Sequence, residues 1–364
     1  MPDGKKTSEN ARRRAGGVIM IVGGGFAGAV AARELAGAGR SVVIVEAADL
    51  IGGKVRAYAC KATARCENCG VCLANGLWED VEKNKSIRVM TGARLVDLTG
   101  TNGDFTAAVK SRSGVETIAG VSRVAVATGF QTTRINRLNG AAELSRAMTP
   151  PLARPSDENT GSILLGSQLE KMLKERGEAG VLAQPPRHVA FVQCFGSRDR
   201  KENAGHCSKV CCGYAARAAK VLKKDYPQAE ITFFYMETQM ANRENQFDAL
   251  KEMGFHFIKC RPIQISGGRA PAVAYDDPET GQREKRFFDL IVLSDGIRAG
   301  DDAGRIAEIC GLGQKESGFL KYVTDASEAK KTGVYLIGCA KGPSTIEEVY
   351  QDAVASAREI LFAG

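Results

Sequence analysis

Apolar and polar positions along this chain follow two periods. Residues 18 to 46 open with VIMIVG, an apolar run of strand length. AGAVAARELAGAG follows with helical spacing, and SVVIVE forms a second short apolar run. Strand, helix and strand in this order predict one βαβ unit of a parallel sheet. IRVMTG reads as the next parallel strand, DFTAAVKSR and VETIAG as an antiparallel pair, and RVAVATG as a buried strand. Between about 134 and 160 the pattern dissolves into TPPLARPSDENTG, a linker signal, before a helix at SQLEKMLKERG.

A second α/β block starts at HVAFVQC and continues through the helix CCGYAARAAKVLKKDY, the strand EITFFYM, the helix ENQFDALKEMG and the strand FHFIKC. The hairpin PAVAYDDPETGQREKRF and the strand FDLIVLSDG close it. GVYLIGC and the helix STIEEVYQDAVASAREILF read as a return to the first domain. The expected organisation is therefore a tail at 1–16, a first domain made of 17–160 and 322–364, and an inserted second α/β domain at 161–321.

Composition narrows the classes. The chain has 364 residues, enough for two domains, and a net charge of +8. The first 16 residues carry five basic and two acidic side chains, so the body is only mildly basic. Basic residues are not interleaved with aromatics in any stripe, which gives no support for a nucleic-acid partner. No charge-free apolar run reaches the length of a membrane span, and the opening residues lack a secretory apolar core. A cytoplasmic protein is expected, with the tail disordered. The three histidines form no triad-like setting, which leaves nucleophilic hydrolysis unsupported.

Candidate chemistry lies at a glycine motif and two groups of cysteines. Gly23, Gly25 and Gly28 spell G-x-G-x-x-G at the strand-to-helix junction, enclosing Phe26 and Ala27, and Glu46 ends the second strand. The first glycine permits the tight turn, the second lets backbone approach a pyrophosphate, and the third lets helix pack on strand; the acid takes ribose hydroxyls. Gly52 and Gly53 beyond Glu46, and a strand end at Ala127, Thr128 and Gly129, resemble the patterns of flavoproteins with two dinucleotide domains, which favours FAD. In that class Lys54 would lie near the isoalloxazine, where a cation favours the reduced, anionic ring; it also reads as an ordinary solvated lysine.

Eleven cysteines are present, an odd total with no export signal, which argues against a disulfide framework. Cys60, Cys66, Cys69 and Cys72 spell C-x5-C-x2-C-x2-C. That loop reads as four thiolates on a cubane, as a four-cysteine zinc site, or as a redox pair at Cys66 and Cys69. Cys194, Cys207, Cys211 and Cys212 form C-x12-C-x3-C-C where a second phosphate loop would be expected, and no glycine motif stands there. A cluster at a helix start is one reading, and buried structural cysteines or a vicinal disulfide the other.

VQCFGSRD…HCSKVCCGYAARAAK, GVYLIGCAKGPSTIEE and GGK before a cysteine-bearing loop resemble the A-type flavoprotein component of heterodisulfide reductase, from Gly17 to the C-terminus. The resemblance implies a thioredoxin-reductase-like two-domain flavoprotein: a Rossmann-type FAD domain with an inserted second α/β domain. It also implies a 4Fe-4S cluster on Cys194, Cys207, Cys211 and Cys212. It sets Gly338, Cys339 and the helix start at Ser344, Thr345 and Ile346 against the flavin, with cysteine where thioredoxin reductases have aspartate. Methanogen-type members carry an extra N-terminal domain and ferredoxin modules; neither is expected from these 364 residues, so the chain looks most like the compact form in sulfur-oxidising complexes. The implied partners are other subunits of such a complex and a second copy in a homodimer. The rival readings are an NAD(P)H-dependent disulfide reductase and a non-catalytic, FAD-containing assembly component.

Overall fold

The computed structural model describes residues 17–133, 162–175, 182, 184–200, 204–238, 246–267, 270–323 and 332–363. The tail at 1–16 and the linker from 134 lie outside the described residues. The chain divides into two compact units: unit one holds residues up to 56, 70–131 and 299 onward, and unit two holds 57–69 and 132–298.

In unit one, β1 (Val18–Val22) leads into α1 (Phe26–Gly37) and β2 (Val42–Val45). After a short helix α2 (Leu77–Lys83) come β3 (Ile87–Met90), β4 (Arg94–Thr101), β5 (Asp104–Ser111) and β6 (Gly114–Val126). The sheet order is β3-β2-β1-β6-β5-β4, and the strand Val334–Leu336 pairs with β6 as the seventh member. β1, β2, β3 and Val334–Leu336 run parallel, whereas β4, β5 and the first half of β6 form an antiparallel meander. The continuous apolar run of β1 has a direct cause. Ile19 and Ile21 face the core under α1, and Met20 and Val22 face a second core on the other side of the sheet. A strand covered on both faces has no polar side to show.

Two sequence expectations are revised here. VETIAG and RVAVATG are one strand, β6, whose exposed first half pairs with β5 and whose buried second half pairs with β1. The return expected at 322 comes at 299. Helix Ala303–Cys310 buries Ala303, Ile306, Ala307 and Cys310 among Leu95, Leu98 and Leu336, and Arg305 donates to the Leu95 carbonyl at 2.8 Å.

Unit two is doubly wound as well. It runs β7 (Ser162–Leu165), α3 (Gly166–Glu175), β8 (His188–Phe195), α4 (Cys211–Asp225), β9 (Glu230–Phe234), α5 (Gln246–Glu252) and β10 (His256–Ile258). It ends with β11 (Gln264–Ser266), β12 (Ala272–Asp276), β13 (Arg283–Phe287) and β14 (Leu290–Asp295). The parallel sheet has the order β10-β9-β8-β14-β7, and β11, β12 and β13 make a separate antiparallel sheet. Alternation along β8 sends Val189 and Phe191 to the helix-covered face and Ala190 and Val192 to the face shared with Val273 and Tyr275 of β12. The winding reverses between β8 and β14, so their carboxyl ends mark the crevice where such folds place ligands.

Segment 57–69 interrupts unit one in sequence yet belongs to unit two. Two buried ion pairs hold it: Lys61 to Glu170 of α3 at 2.6 Å, and Glu67 to Lys220 of α4 at 2.8 Å. Ala59 adds an apolar anchor in the core beneath α3 and α4.

Candidate functional site

The turn from β1 to α1 has the form of a phosphate cradle. Gly23 sits at φ +107°, and a Cβ there would lie 2.4 Å from the Ala127 carbonyl. A Cβ on Gly28 would lie 2.0 Å from the Gly23 carbonyl, so helix and strand meet there backbone to backbone. A Cβ on Gly25 would meet nothing within 4 Å, which leaves open space above the start of the helix. No side chain caps α1 and no acid lies in its first turn, so its free N–H groups and dipole favour an anion. The Phe26 side chain is buried, packed edge-on to Trp78 and tilted against Tyr350, and the Ala27 side chain lies against Gly338.

Glu46, expected on a ribose, has both oxygens engaged with backbone: Oε2 accepts from Gly24 N–H and Oε1 from Ala48 N–H, each at 2.7 Å. It holds the glycine turn shut. The Gly52 N–H donates to the Gly24 carbonyl at 2.8 Å, tying the Gly52–Gly53 turn to the cradle. Lys54 follows, with Nζ 3.3 Å from Gln131 Oε1 and 5.4 Å above the Phe130 ring. Ala127, Thr128 and Gly129 lead directly to those two partners, so the structure brings Lys54 and the end of β6 together.

The C-terminal segment completes unit one. Gly338 adopts φ +64° and packs on Ala27 and Val349, and its N–H donates to Asp352 Oδ2 at 2.7 Å. Lys341 binds the other oxygen of Asp352 at 2.5 Å. Cys339 is buried and donates weakly to the Ser344 carbonyl at 3.8 Å. Burial pushes its thiol up to about 11, opposed by the contact with Ser344. Thr345 caps the helix Ile346–Phe362 in a capping box with Glu348, and Glu347 and Glu348 occupy its first turn. This helix start is already satisfied and negatively charged, the opposite of α1, and it suits a neutral ring edge better than a phosphate.

In unit two, Cys194, Cys207, Cys211 and Cys212 lie at the crevice between β8 and β14. Cys194 is 4 % exposed, Cys211 1 % and Cys212 4 %, with Cys207 partly exposed. Cys194 adopts φ +59°, as do Arg198 at +53° and Lys209 at +64°, in a region that L-residues avoid at a cost of about 1–2 kcal/mol each. The thiols act on one another. Cys194 is drawn down to about 7 by its hydrogen bond with Cys211, against burial, with help from the Arg198 and Arg261 guanidiniums. Cys211 is pushed well up by hydrogen bonding with Cys194 and with Cys212 and by burial. Burial raises Cys207, against a hydrogen bond from Lys209 N–H at 3.3 Å. All eleven cysteines are free thiols. Among the described residues, no group of three or more His, Cys, Asp or Glu side chains has the arrangement of a metal-ion site.

His206, neighbour of Cys207, turns its Nε2 to the Ile297 carbonyl at 2.8 Å. Sequence reasoning passed over Arg198 and Arg261, whose charges face the cysteines, and Gln193, buried beside Cys194. Arg198 and Gln193 stand in the run VQCFGSRD itself, whereas Arg261 lies 49 positions beyond Cys212.

The first cysteine group is not brought together in one unit. Cys60, Cys66 and Cys69 belong to unit two, and Cys72, on the short helical turn Val71–Ala74, to unit one. Cys60, Cys66 and Cys72 are exposed. Asn68, at φ +46°, donates its N–H to Cys66 Sγ at 3.3 Å. The turn repeats Cys207 and Lys209: in both, a left-handed residue two positions on aims its amide at the sulfur.

Residues 21–102 match a family model described as an NAD(P)-binding Rossmann-like domain. The A-type subunit of the ferredoxin:CoB-CoM heterodisulfide reductase of Methanosarcina mazei is 26 % identical over 98 % of this chain and 54 % of its own length. The second A-type iron-sulfur subunit of the CoB-CoM heterodisulfide reductase of Methanopyrus kandleri is 25 % identical over 93 % of this chain and 63 % of its own. The chain resembles these relatives along nearly its whole length and spans a little over half of theirs. Among solved structures, thioredoxin reductase of T. acidophilum superposes with a TM-score of 0.61 at 18 % identity, covering 94 % of this chain and 96 % of that one. Lactococcus lactis thioredoxin reductase gives 0.58 at 16 % identity, covering 95 % and 98 %. The fold is thioredoxin-reductase-like. No helix among the described residues is long and apolar enough to cross a membrane.

Proposed function

We propose that this chain is the electron-transferring flavoprotein component, the A-type oxidoreductase subunit, of a heterodisulfide-reductase-like complex, with FAD in unit one and a 4Fe-4S cluster on Cys194, Cys207, Cys211 and Cys212. The observation that carries the reading is a replacement. At the crevice of unit two, where a doubly wound sheet would receive a second dinucleotide, buried cysteines start the helix and a loop without a glycine motif precedes it. When bound, FAD supplies exchange of electron pairs and the cluster supplies single-electron steps.

The polypeptide's part is binding and electrostatics. The uncapped start of α1 and the open space at Gly25 fit a pyrophosphate, and Lys54 supplies a cation near the end of β6. Cys339, held neutral by burial, keeps a negative charge away from the position it shares with Gly338. In unit two, Arg198 and Arg261 offset the charge of four thiolates, and Lys209 N–H bonds one of the sulfurs. The donor set is all sulfur, which suits an iron-sulfur cluster.

The proposal extends to the setting: sulfur-compound oxidation in the cytoplasm, partner subunits of the complex, and a homodimer. Cys60, Cys66 and Cys69 of unit two are candidate ligands of a second cluster. Absorption and paramagnetic resonance spectra of anaerobically purified protein, with serine variants of each cysteine group, test the reading. The expected result is a cluster signal lost with Cys211→Ser or Cys212→Ser while flavin absorbance persists. A colourless protein, or rapid bleaching of its flavin by NADPH alone, would contradict it.

A further inference from the structure

The carboxyl end of β8 carries a side chain that no group among the described residues satisfies. Gln193 is 7 % exposed, and both Oε1 and Nε2 are sealed from solvent with no hydrogen-bond partner. A buried polar group left unbonded forfeits its hydration without return, and native interiors hold few of them. Methionine would fill a similar volume without that cost. The amide therefore calls for a partner that is not part of the polypeptide.

Its position indicates which. Gln193 continues the face of Val189 and Phe191, the face that α4 covers with Ala215, Ala216 and Ala219. α4 begins with Cys211 and Cys212, and its first turn lies over the strand ends, since the Tyr214 hydroxyl donates to the Asp295 carbonyl at 3.2 Å. Cys194 is the next residue along β8, and its carbonyl accepts the Ser197 N–H at 3.1 Å. The Ser197 hydroxyl is itself buried without a partner. The orphaned amide thus belongs to the strand end that carries Cys194, on the face that α4 covers, and Cys194 is hydrogen-bonded to Cys211 at the start of that helix.

We propose that Gln193 donates a hydrogen bond from Nε2 to a sulfur of the cluster on Cys194, Cys207, Cys211 and Cys212, and so sets its potential. The inference rests on the cluster reading above. A donor to sulfur stabilises the more negative, reduced cluster and raises its potential. A buried water would satisfy the amide equally well without any effect on the iron.

The test is a redox titration, followed by paramagnetic resonance, of the anaerobically purified full chain as wild type, Gln193→Met and Gln193→Glu. At the wild-type midpoint, Gln193→Met is expected to shift the oxidised-to-reduced ratio about tenfold toward oxidised, equal to about 59 mV for one electron. The g-values change with it, while iron content and the flavin midpoint stay. Gln193→Glu, which brings a carboxylate to the same place, shifts further in the same direction; should Gln193→Met fail to fold, this variant alone decides. Wild-type midpoint and g-values in the folded variants would mean that the amide binds a water only, and would overturn the inference while leaving the cluster intact. Wild-type protein without iron would overturn the inference together with the reading beneath it.

Discussion

Two turns in this molecule occupy equivalent places in their sheets and have opposite chemistry. Between β1 and α1 the chain crosses in three glycines, with no side chain at the cradle and no acid in the first helical turn. Between β8 and α4 it takes residues 196–210, holds Cys194, Arg198 and Lys209 in left-handed conformations, and starts the helix with two buried cysteines. The first turn exposes backbone, and backbone N–H groups suit a phosphate. The second sets sulfur and guanidinium groups at the corresponding place in unit two, where Cys211 and Cys212 begin the helix and Arg198 and Arg261 act on Cys194. On the proposed reading, one sheet architecture serves two classes of ligand, and the loop decides between them.

The largest expected effect lies where segment 57–69 is fastened to the rest of unit two. Lys220→Met removes the cation that Glu67 meets in the core at 2.8 Å, and a loss of about 3–5 kcal/mol is expected in urea denaturation. The double variant Lys220→Met with Glu67→Met should recover most of it. A single-variant loss below about 1 kcal/mol would show that the segment is not anchored by this pair.

A smaller effect separates the units by pH. Cys339 has a folded value of about 11 against 9.0 for a free thiol, so above pH 9 the unfolded chain binds fewer protons and stability falls as pH rises toward 11. The contribution is on the order of 2 kcal/mol across that window. Cys339→Ala should flatten this part of the profile, measured by denaturation between about pH 8 and pH 11. Cys194, drawn down to about 7, should by contrast react with iodoacetamide near neutral pH in protein stripped of any cluster, ahead of Cys211.

How much of this was readable in the sequence depends on range. Gly23, Gly25 and Gly28 are legible because their roles are local: a turn, a close approach and a helix contact within six residues. The spacing of Cys194, Cys207, Cys211 and Cys212 is visible for the same reason. The membership of Cys60, Cys66 and Cys69 in unit two is not, because it rests on Lys61 meeting Glu170 and Glu67 meeting Lys220, partners more than a hundred positions apart. The short strand β7 escaped as well: four residues beside a polar linker carry too little periodicity. Gln193 gave no signal, since one polar residue in an apolar strand looks like a strand end until its burial is known.

The smallest expected effect sharpens the glycine side. Gly25→Ala places its Cβ in open space within the polypeptide, so the melting temperature of apoprotein should be unchanged. The same methyl lies where a pyrophosphate would approach, and FAD affinity, measured by fluorescence titration, should fall about tenfold, or ~1.4 kcal/mol. Unchanged affinity would move the cradle elsewhere.

The proposed function stands or falls on sulfur ligands holding iron at the crevice of unit two. Iron and acid-labile sulfide measured per chain, in anaerobically purified wild type and in Cys211→Ala, test it directly. Matched iron and sulfide are expected in the wild type and a loss of one cluster's worth in the variant, with FAD content equal in both. Wild-type protein free of iron and sulfide, or a variant that keeps the full amount, would contradict it.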